Sequence, residues 1–323
     1  MKKALISALS SSSEYISGEQ LSQQLGVSRT AIWKQIQTLR EQGYEIEAQP
    51  RVGYRLRSKP DRLLPEEITN GLSTSYLGQQ VIYYDEVETT NEAARRLAQQ
   101  GAMEGTLVVA ERQTRGKGRL GRHWVSPRGE GLWFSFILRP QMLPVEAPRA
   151  TLVSAVAVAR AIRQLTGLEV KIKWPNDLLL EGKKVTGILT EMNCEIDRIN
   201  YLVVGIGINV NLDPDTFPSE ISKVATSISF CLNRKVSRVL LLQKCLEELE
   251  HYYNTWKNSG FESILVEWRE LSYTLGKWTR VKVMEETVEG LAEDVEEDGS
   301  LRLRLKDGRI YRVIAGDVLF GED

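Results

Sequence analysis

The sequence predicts an α+β protein of several domains: a winged helix-turn-helix, a central α/β domain built on a mixed sheet, and a small C-terminal β-barrel. Three observations predict this arrangement. Two helical segments meet at Gly26 and lead into two short alternating strands, strand-like and helix-like segments alternate between residues 81 and 211, and short strands with Asp-Gly turns follow Ser272. The predicted domains are residues 1–60, 61–271 and 272–323.

The first sixty residues carry the helix-turn-helix pattern. Ser17-Gly18-Glu19 introduces LSQQLGV, and Ser28 caps RTAIWKQIQTLREQG, in which Ile32, Ile36 and Leu39 share one face. YEIEAQPRVGYRLRS follows as a basic hairpin, or wing, and Ser58-Lys59-Pro60-Asp61 is the predicted linker. The residues predicted to contact DNA are Ser28, Arg29, Thr30, Trp33, Lys34 and Arg51. The alternative is a small helical interaction domain with a solvated positive face.

Charge is distributed unevenly along the chain. The formal net charge is −1, yet residues 26–60 hold seven basic and three acidic side chains, while residues 285–298 hold eight acids and no base. We therefore expect different partners for different domains.

Composition excludes several classes of protein. Three cysteines without a CxxC pair and two distant histidines, His123 and His251, argue against a disulfide framework, a zinc site and a His-dependent triad, and fit a cytoplasmic protein. The start MKKALISALSSSS lacks a small-residue cleavage site and is predicted to be an amphipathic helix. No apolar stretch reaches the roughly 20 residues of a membrane span, so no membrane association is expected.

A cationic loop is the most informative segment. RQTRGKGRLGRHWVSPR, residues 112–128, has six basic residues, no acid and three glycines. Its GKGRLG satisfies a dinucleotide-binding fingerprint letter for letter, but the residues between the glycines are large and a strand follows, which excludes a Rossmann site. The absence of Gly-Lys-Ser/Thr excludes a P-loop. The alternatives are a solvated surface loop and a flexible flap over an anionic ligand, and Trp124 with the apolar LWFSFIL after it favours the flap.

Several polar residues of the central region have more than one interpretation. Thr89, Thr90 and Asn91 enter a helix, where capping and ligand contact are equally consistent with the residues. Lys173 to Asp177 end one strand, where Asp177 either holds a metal, orients Lys184 or belongs to a turn. Two strands flank the predicted hairpin turn Glu181–Lys184, and Gly205 and Gly207 in YLVVGIGINVN allow close backbone approach.

Three motifs resemble one family. GKGRLGRHW, KWPNDLLLEGKKVTGIL and VGIGINVN, in this order behind a helix-turn-helix, closely resemble the bifunctional bacterial biotin-protein ligases that also repress biotin genes. The resemblance covers essentially the whole chain. It implies a biotin/lipoate-ligase-like central domain with a mixed sheet and an SH3-like C-terminal barrel.

The resemblance also implies a set of site residues. The implied biotin-binding residues are Thr89, Thr90, Asn91, Gln113, Lys117, Gly118, Arg119, Lys184 and Gly187. The implied ATP-binding residues are Gly116, Arg119, Arg122, Trp124, Asn176 and Asn209. Lys184, Arg119, Lys117 and Asp177 would be catalytic, and Asn176 and Asp177 would hold Mg²⁺. Lys117 departs from the usual Gly-Arg-Gly-Arg flap; lysine keeps the charge but loses the bidentate fork.

The implied chemistry is adenylation followed by acyl transfer. The biotin carboxylate would attack the α-phosphorus of ATP, with Lys184 neutralising the carboxylate, and Arg119 and Arg122 the phosphates. A lysine of a biotin carboxyl carrier protein, of acetyl-CoA carboxylase or another biotin-dependent carboxylase, would then take the biotinyl group. The implied repressor binds operator DNA of biotin genes as a homodimer, formed on adenylate or DNA binding, with biotinyl-5'-AMP as corepressor.

Alternatives stay open for two of the domains. For the central domain, the other two classes of function are a non-catalytic biotin-responsive DNA-binding regulator and a lipoate-type ligase. The C-terminal barrel is either a structural cap or, as the resemblance suggests, a contact for ATP and acceptor.

Overall fold

A computed structural model describes residues 1–283 and 286–320, so Glu285, at the start of the acidic segment, lies outside the described residues. The chain divides into two compact units, residues 1–71 and 72–323.

The N-terminal unit is a winged helix-turn-helix, as predicted. Its elements are α1 (Lys2–Ser10), α2 (Gly18–Leu25), α3 (Arg29–Glu41), β1 (Glu45–Gln49), β2 (Gly53–Ser58) and α4 (Pro65–Thr69). Ser17 caps α2 through a reciprocal capping box with Gln20, Gly26 ends that helix at φ 64°, and Ser28 accepts from the Ala31 backbone N–H to begin α3. These caps fix the turn between the two helices.

One face of α3 forms the core of this unit. Ile32, Ile36 and Leu39 are each at most 1% exposed, which confirms the predicted apolar face. The unit continues past the predicted linker, since Glu67 of α4 accepts a hydrogen bond from Tyr44 at 2.6 Å and pairs with Lys59 at 3.1 Å.

The second unit is built on the expected mixed sheet. Its seven strands are β3 (Val81–Tyr84), β4 (Leu107–Ala110), β5 (Gly131–Leu138), β6 (Lys171–Lys173), β7 (Asp177–Leu180), β8 (Lys183–Cys194) and β9 (Ile199–Asn209). Their order is β3-β4-β5-β9-β8-β7-β6, in which β3 and β4 are parallel and the other pairs antiparallel. The predicted hairpin turn between β7 and β8 places Glu181 and Gly182 at φ 50° and 77°, as a two-residue hairpin of the primed type requires.

The second unit also contains six α-helices among the described residues. They are α5 (Thr90–Gln99), α6 (Ala147–Thr166), α7 (Ser219–Ser222), α8 (Ile228–Leu232), α9 (Arg238–Ser259) and α10 (Glu262–Leu271). Ala94 and Ala98 of α5 pack on Val108, Ile137 and Val203 of the sheet. The helix α6 has twelve buried residues because its apolar stripe is broad, and Gly167 ends it at φ 75°.

The C-terminal segment is a run of short antiparallel strands, as predicted. They are β10 (Trp278–Val283), β11 (Glu286–Val295), β12 (Leu301–Arg304), β13 (Ile310–Val313) and β14 (Asp317–Phe320), in the order β13-β12-β11-β10-β14. The ladders between the described residues leave β13 and β14 as edges, where a fully closed barrel would join them. Strand periodicity predicts that the segment is made of strands, whereas closure depends on their tilt and stagger.

The second sheet packs within the same unit as the first. Trp174, which is 1% exposed, donates from its indole N–H to Gly299 O at 3.0 Å, and its backbone N–H donates to Thr274 Oγ1 at 3.0 Å. Over the described part of the chain, no helix combines the length and apolar character needed to cross a membrane.

Candidate active site

One cavity opens at the ends of β7, β8 and β9, under the flap. It gathers most of the residues that the sequence singled out. These are Thr90, Asn91, Gln113, Lys117, Gly118, Arg119, Arg122, Trp124, Asn176, Asp177, Lys184, Gly187 and Asn209. Residues from the flap, the start of α5 and three strands, far apart in the sequence, therefore converge on one site.

Two predicted ligand residues, Thr89 and Gly116, are not among the residues that line the cavity. Thr89 is the N-cap of α5, where its hydroxyl accepts from the Glu92 backbone N–H at 3.0 Å. Of the two roles left open for Thr89, capping and ligand contact, the structure therefore shows capping. Gly116 sits where an added Cβ would lie 2.3 Å from Trp124 O and 2.8 Å from Ser126 Oγ. Gly116 thus serves the close packing of the base of the flap.

Lys184 and Asp177 form an ion pair at the cavity wall. Lys184 Nζ lies 2.6 Å from Asp177 Oδ1 and 5.3 Å from the centre of the Trp124 ring. The two residues are held by adjacent strands of one hairpin, and the backbone of Lys184 also bonds to Val224 O at 2.8 Å. Asp177 therefore orients the ammonium group, which is one of the roles predicted for it.

Lys173 adds a third charged group beside this pair. It lies opposite Asp177 in the β6–β7 ladder. Burial is the main cause that lowers its pKa. The negative charges of Asp177 and Asp317 oppose this shift, and the positive charges of Lys184 and Arg122 add to it. The site is therefore rich in positive charge before any ligand is bound.

Two arginines of the flap, Arg119 and Arg122, contact the C-terminal segment. Arg119 Nη1 donates to Asn176 Oδ1 at 3.1 Å and to Gly316 O at 3.2 Å, and it lies 3.5 Å from Asp317 Oδ1. Arg122 pairs with Asp317 Oδ2 at 2.6 Å. A short 3₁₀ turn with Leu120 at φ 55° presents both guanidinium groups to the same carboxylate. The sequence reasoning missed Asp317, which lies far along the chain in an ordinary strand.

Trp124 packs against glycines on the cavity floor. A Cβ at Gly207 would lie 2.4 Å from Trp124 Nε1, and one at Gly187 would lie 3.0 Å from Trp124 Cζ3. Trp124 also makes an edge contact with Trp133, with ring centroids 6.4 Å apart. The glycines of VGIGINVN and KVTGIL thus let an aromatic ring lie directly on the backbone of β8 and β9, which agrees with the close approach predicted for Gly207.

A chain of polar groups lines the inner end of the cavity. The Thr90 backbone N–H donates to Gln113 Oε1 at 2.8 Å, and Gln113 Nε2 donates to Ser126 Oγ at 2.9 Å. Asn91 lies against Gly205, where a Cβ would approach Asn91 Oδ1 to 1.7 Å. Only glycine fits at position 205 while Asn91 keeps this position.

The N-terminal unit brings the predicted DNA-contacting residues to one surface. Arg29, Thr30 and Trp33 of α3 line a shallow groove together with Arg51 at the wing tip, and Trp33 is 52% exposed. Ser28 and Lys34 are exposed on the same helix outside the groove lining. Arg51 turns the wing with φ 65°.

An acidic residue organises the wing. Hydrogen bonds from Arg57, Arg55 and Tyr15 lower the pKa of Glu47 to about 2. Because Glu47 faces Arg55 across the β1–β2 pair and also contacts Arg57 at 2.7 Å, part of the basic charge of the wing is neutralised within the hairpin.

Comparison with known proteins gives three matching family models. Residues 2–55 match an HTH domain, residues 83–209 the biotin/lipoate A/B protein ligase family, and residues 274–321 the biotin protein ligase C terminal domain. The chain is 42% identical over 322 residues to the bifunctional ligase/repressor BirA of Bacillus subtilis, covering 99% of each chain. The chain belongs to the biotin protein ligase family.

Other members of the biotin protein ligase family support the same assignment. The bifunctional ligase/repressor BirA of Escherichia coli is 29% identical over 314 residues, covering 96% of this chain and 94% of its own. The solved biotin protein ligase from Aquifex aeolicus in complex with biotin and ATP has a TM-score of 0.66 and 31% identity, covering 75% of this chain and 98% of its own. The family resemblance read from the three motifs is therefore confirmed.

The cavity and the residues in contact with its wall include positions that the sequence did not indicate. Besides Asp317, they include three residues that hydrogen-bond to polar residues of the cavity: Ser126 to Gln113, Ser135 to Thr90, and Glu191 to Asn91. The others form the apolar wall of the cavity and are Phe217, Ile221, Val224 and Ala225. The last four come from the segment between Asp213 and Ser229. Backbone bonds of Lys184 to Val224 and Thr226 attach that segment to β8.

Proposed function

We propose that the chain is an ATP-dependent biotin-protein ligase that forms biotinyl-5'-AMP and transfers biotin to a lysine of a biotin carboxyl carrier protein. One observation carries the proposal: the same cavity is lined by Lys184, which Asp177 orients, and by the flap arginines Arg119 and Arg122. It is also lined by Gln113, whose amide has a second hydrogen for a ligand. The whole-length similarity to bifunctional ligase/repressors supports it.

The first step joins two anions, so charge and position dominate its barrier. The biotin carboxylate oxygen attacks the α-phosphorus of ATP, a P–O bond forms, and the bond to the β-phosphate breaks to release pyrophosphate. Lys184, oriented by Asp177, holds the carboxylate, while Arg119 and Arg122 hold the phosphates. Lys117 lines the same cavity and adds charge at the flap.

Mg²⁺ fits this site as a companion of the nucleotide. Asn176 and Asp177 supply one amide oxygen and one carboxylate, the hard oxygen ligands that Mg²⁺ prefers. Within residues 1–283 and 286–320 no group of three or more His, Cys, Asp and Glu side chains could cage a metal. The remaining ligands would be phosphate oxygens and water, and the ion would neutralise the leaving pyrophosphate.

The second step consumes the mixed anhydride. The acceptor lysine nitrogen attacks the acyl carbon, an amide bond forms and AMP leaves. Because the anhydride is prone to hydrolysis, the apolar wall of Phe217, Ile221 and Val224 and the flap would exclude water from it.

A labelled-transfer experiment tests the ligase. We expect labelled biotin to enter a biotin carboxyl carrier domain only when ATP and Mg²⁺ are both present, with each component omitted in turn as the control. Operator binding that responds to biotin without any adenylate formation would instead establish a non-catalytic regulator. Preferred transfer of lipoate in competition would establish the lipoate-type ligase.

We also propose that the N-terminal unit represses biotin genes by binding their operator as a homodimer, with biotinyl-5'-AMP as corepressor. The exposed face of α3 and the wing tip support DNA contact, and helix-turn-helix proteins commonly pair to span two half-sites. For the dimer, residues 190–194 of β8 extend beyond the part paired with β7, which leaves an edge available to a second copy.

Operator titrations test both parts of this proposal. With biotin and ATP we expect two chains per operator, and Arg29→Ala should weaken binding to all sequences and reduce the slope of log K against log salt by about 1. Glu19→Gln, a change in the same groove that removes no positive charge, should keep the wild-type slope. One chain per operator, or an unchanged slope for Arg29→Ala, would contradict the proposal.

A further inference from the structure

Ser135 is a polar residue in the middle of an otherwise apolar strand. It lies on β5 within LWFSFIL, is 0% exposed, and does not line the cavity itself. Its hydroxyl oxygen lies 2.7 Å from both Thr90 Oγ1 and Asn91 Oδ1, two atoms of residues that do line the cavity. Ser135 therefore contacts the site through the side chains of Thr90 and Asn91.

The orientation of the Asn91 amide is fixed by its other partners. Asn91 Nδ2 donates to Leu189 O at 3.2 Å and to Glu191 Oε2 at 2.7 Å. A backbone carbonyl and a carboxylate are acceptors, so both hydrogens of the amide are used there. The Asn91 oxygen must consequently face Ser135.

This orientation decides where the hydroxyl hydrogens lie. Ser135 has one hydrogen to serve two 2.7 Å contacts, and the oxygen of an amide cannot donate. The Ser135 hydrogen therefore lies toward Asn91 Oδ1, and Thr90 must supply the hydrogen of the other contact. The competing contact of Thr90 Oγ1 with Gln113 Oε1 is longer, at 3.2 Å, and that oxygen already accepts from the Thr90 backbone. The chain thus runs from Thr90 through Ser135 and Asn91 to Glu191.

A chain of this polarity gives the cavity a defined donor and acceptor pattern. With its hydrogen committed to Ser135, the Thr90 hydroxyl offers only lone pairs to a ligand. Gln113 uses one amide hydrogen on Ser126 and has a second one for a ligand oxygen. The inner end of the cavity thus fits a group in which an N–H donor adjoins a carbonyl oxygen.

We propose that Ser135 is a positioning residue that holds the Thr90 hydroxyl as an acceptor and so selects a ligand with an N–H group at that point. The proposal rests on the proposed function, because the cyclic urea of biotin is the ligand that would meet this pattern. Ser135 thereby contributes to substrate choice without touching the substrate.

The first test replaces the hydroxyl. We expect Ser135→Ala to raise KM for biotin in biotin-dependent ATP–pyrophosphate exchange about tenfold, because a buried acceptor and donor lose their partner. KM for ATP should change less than about twofold, since the phosphate-binding residues lie elsewhere in the cavity. Ser135→Cys replaces the hydroxyl with a thiol of nearly the same size that is a weak donor. Its KM for biotin should lie between the values of wild type and Ser135→Ala. Ser154→Ala is the matched control, because Ser154 is a buried serine whose hydroxyl donates to the carbonyl of Ala150 in its own helix.

The second test separates polarity from packing. Two carbamate analogues of biotin, each with one ureido N–H replaced by oxygen, are compared with biotin in wild type and Ser135→Ala. For wild type we expect the analogue whose oxygen faces Thr90 to bind at least about tenfold more weakly than biotin, because two sets of lone pairs meet. In Ser135→Ala the Thr90 hydroxyl is free to rotate and donate, so this discrimination should largely disappear.

The outcomes are distinct. A purely structural role of Ser135 would weaken biotin and both analogues by one common factor, and that result, or a biotin KM unchanged in Ser135→Ala, would overturn the proposal while leaving the ligase intact. A wild-type protein that does not use biotin at all would overturn the proposed function and this inference with it.

Discussion

Replacing Lys184 with alanine is expected to reduce the rate of biotinyl-adenylate formation by about 100-fold to 1,000-fold. Its ammonium group is the positive charge that Asp177 orients at 2.6 Å in the cavity wall, and the reaction brings a carboxylate against a phosphate there. Without Lys184, the carboxylate of Asp177 would add to the repulsion. Biotin-dependent ATP–pyrophosphate exchange measures this step directly, and the melting temperature should shift by only a few degrees, because the side chain is 32% exposed.

The neighbouring residue provides the control. Lys183 carries the same charge on the same strand but is exposed outside the cavity, so Lys183→Ala should keep wild-type exchange within about twofold. Equal losses in the two variants would show that general charge, and not the placement of Lys184, governs the step.

Arg119→Ala is the second large effect that we expect, chiefly on retention of the adenylate. Arg119 bonds to Asn176, to Gly316 and, at 3.5 Å, to Asp317, so it connects the flap to two other parts of the cavity. Loss of a charge-assisted contact of this kind costs about 2 to 3 kcal/mol, which corresponds to about a 30-fold to 150-fold faster release of adenylate. Stopped-flow dissociation of preformed adenylate measures the rate.

Arg112 is the matched arginine for this experiment. It starts the same basic segment but pairs at 3.0 Å with Glu86 on the surface and does not line the cavity. Arg112→Ala should release adenylate at close to the wild-type rate. If Arg119→Ala also released adenylate at the wild-type rate, other residues of the flap would be responsible for retaining the adenylate.

Features of the site that depend on local sequence were predictable. The glycine-broken helices of the N-terminal unit and the Glu181–Gly182 turn follow from interactions within a few residues, whereas for Thr89 the sequence left capping and ligand contact equally open. The three motifs also indicated the family, and with it most residues of the cavity wall.

Features that depend on distant pairing were not predictable. Ser135 stands in an apolar run typical of a buried strand, and its partner Asn91 is 44 residues away. Asp317 meets the flap only because the second sheet packs on the first, with 197 residues between Arg119 and Gly316. A polar residue in a buried strand, such as Ser135, was the one available signal, since a buried hydroxyl needs a partner.

The contact of Asp317 with both flap arginines changes how nucleotide affinity is expected to respond to its surroundings. In the ligand-free protein these guanidinium groups already have an internal counter-anion, with Asp317 only 14% exposed. We therefore expect nucleotide entry to be an ion exchange, in which phosphate replaces the Asp317 carboxylate as the partner of the two guanidinium groups. Such an exchange releases fewer small ions from the protein surface, so ATP affinity should vary only gently with ionic strength, although the flap carries so many positive charges.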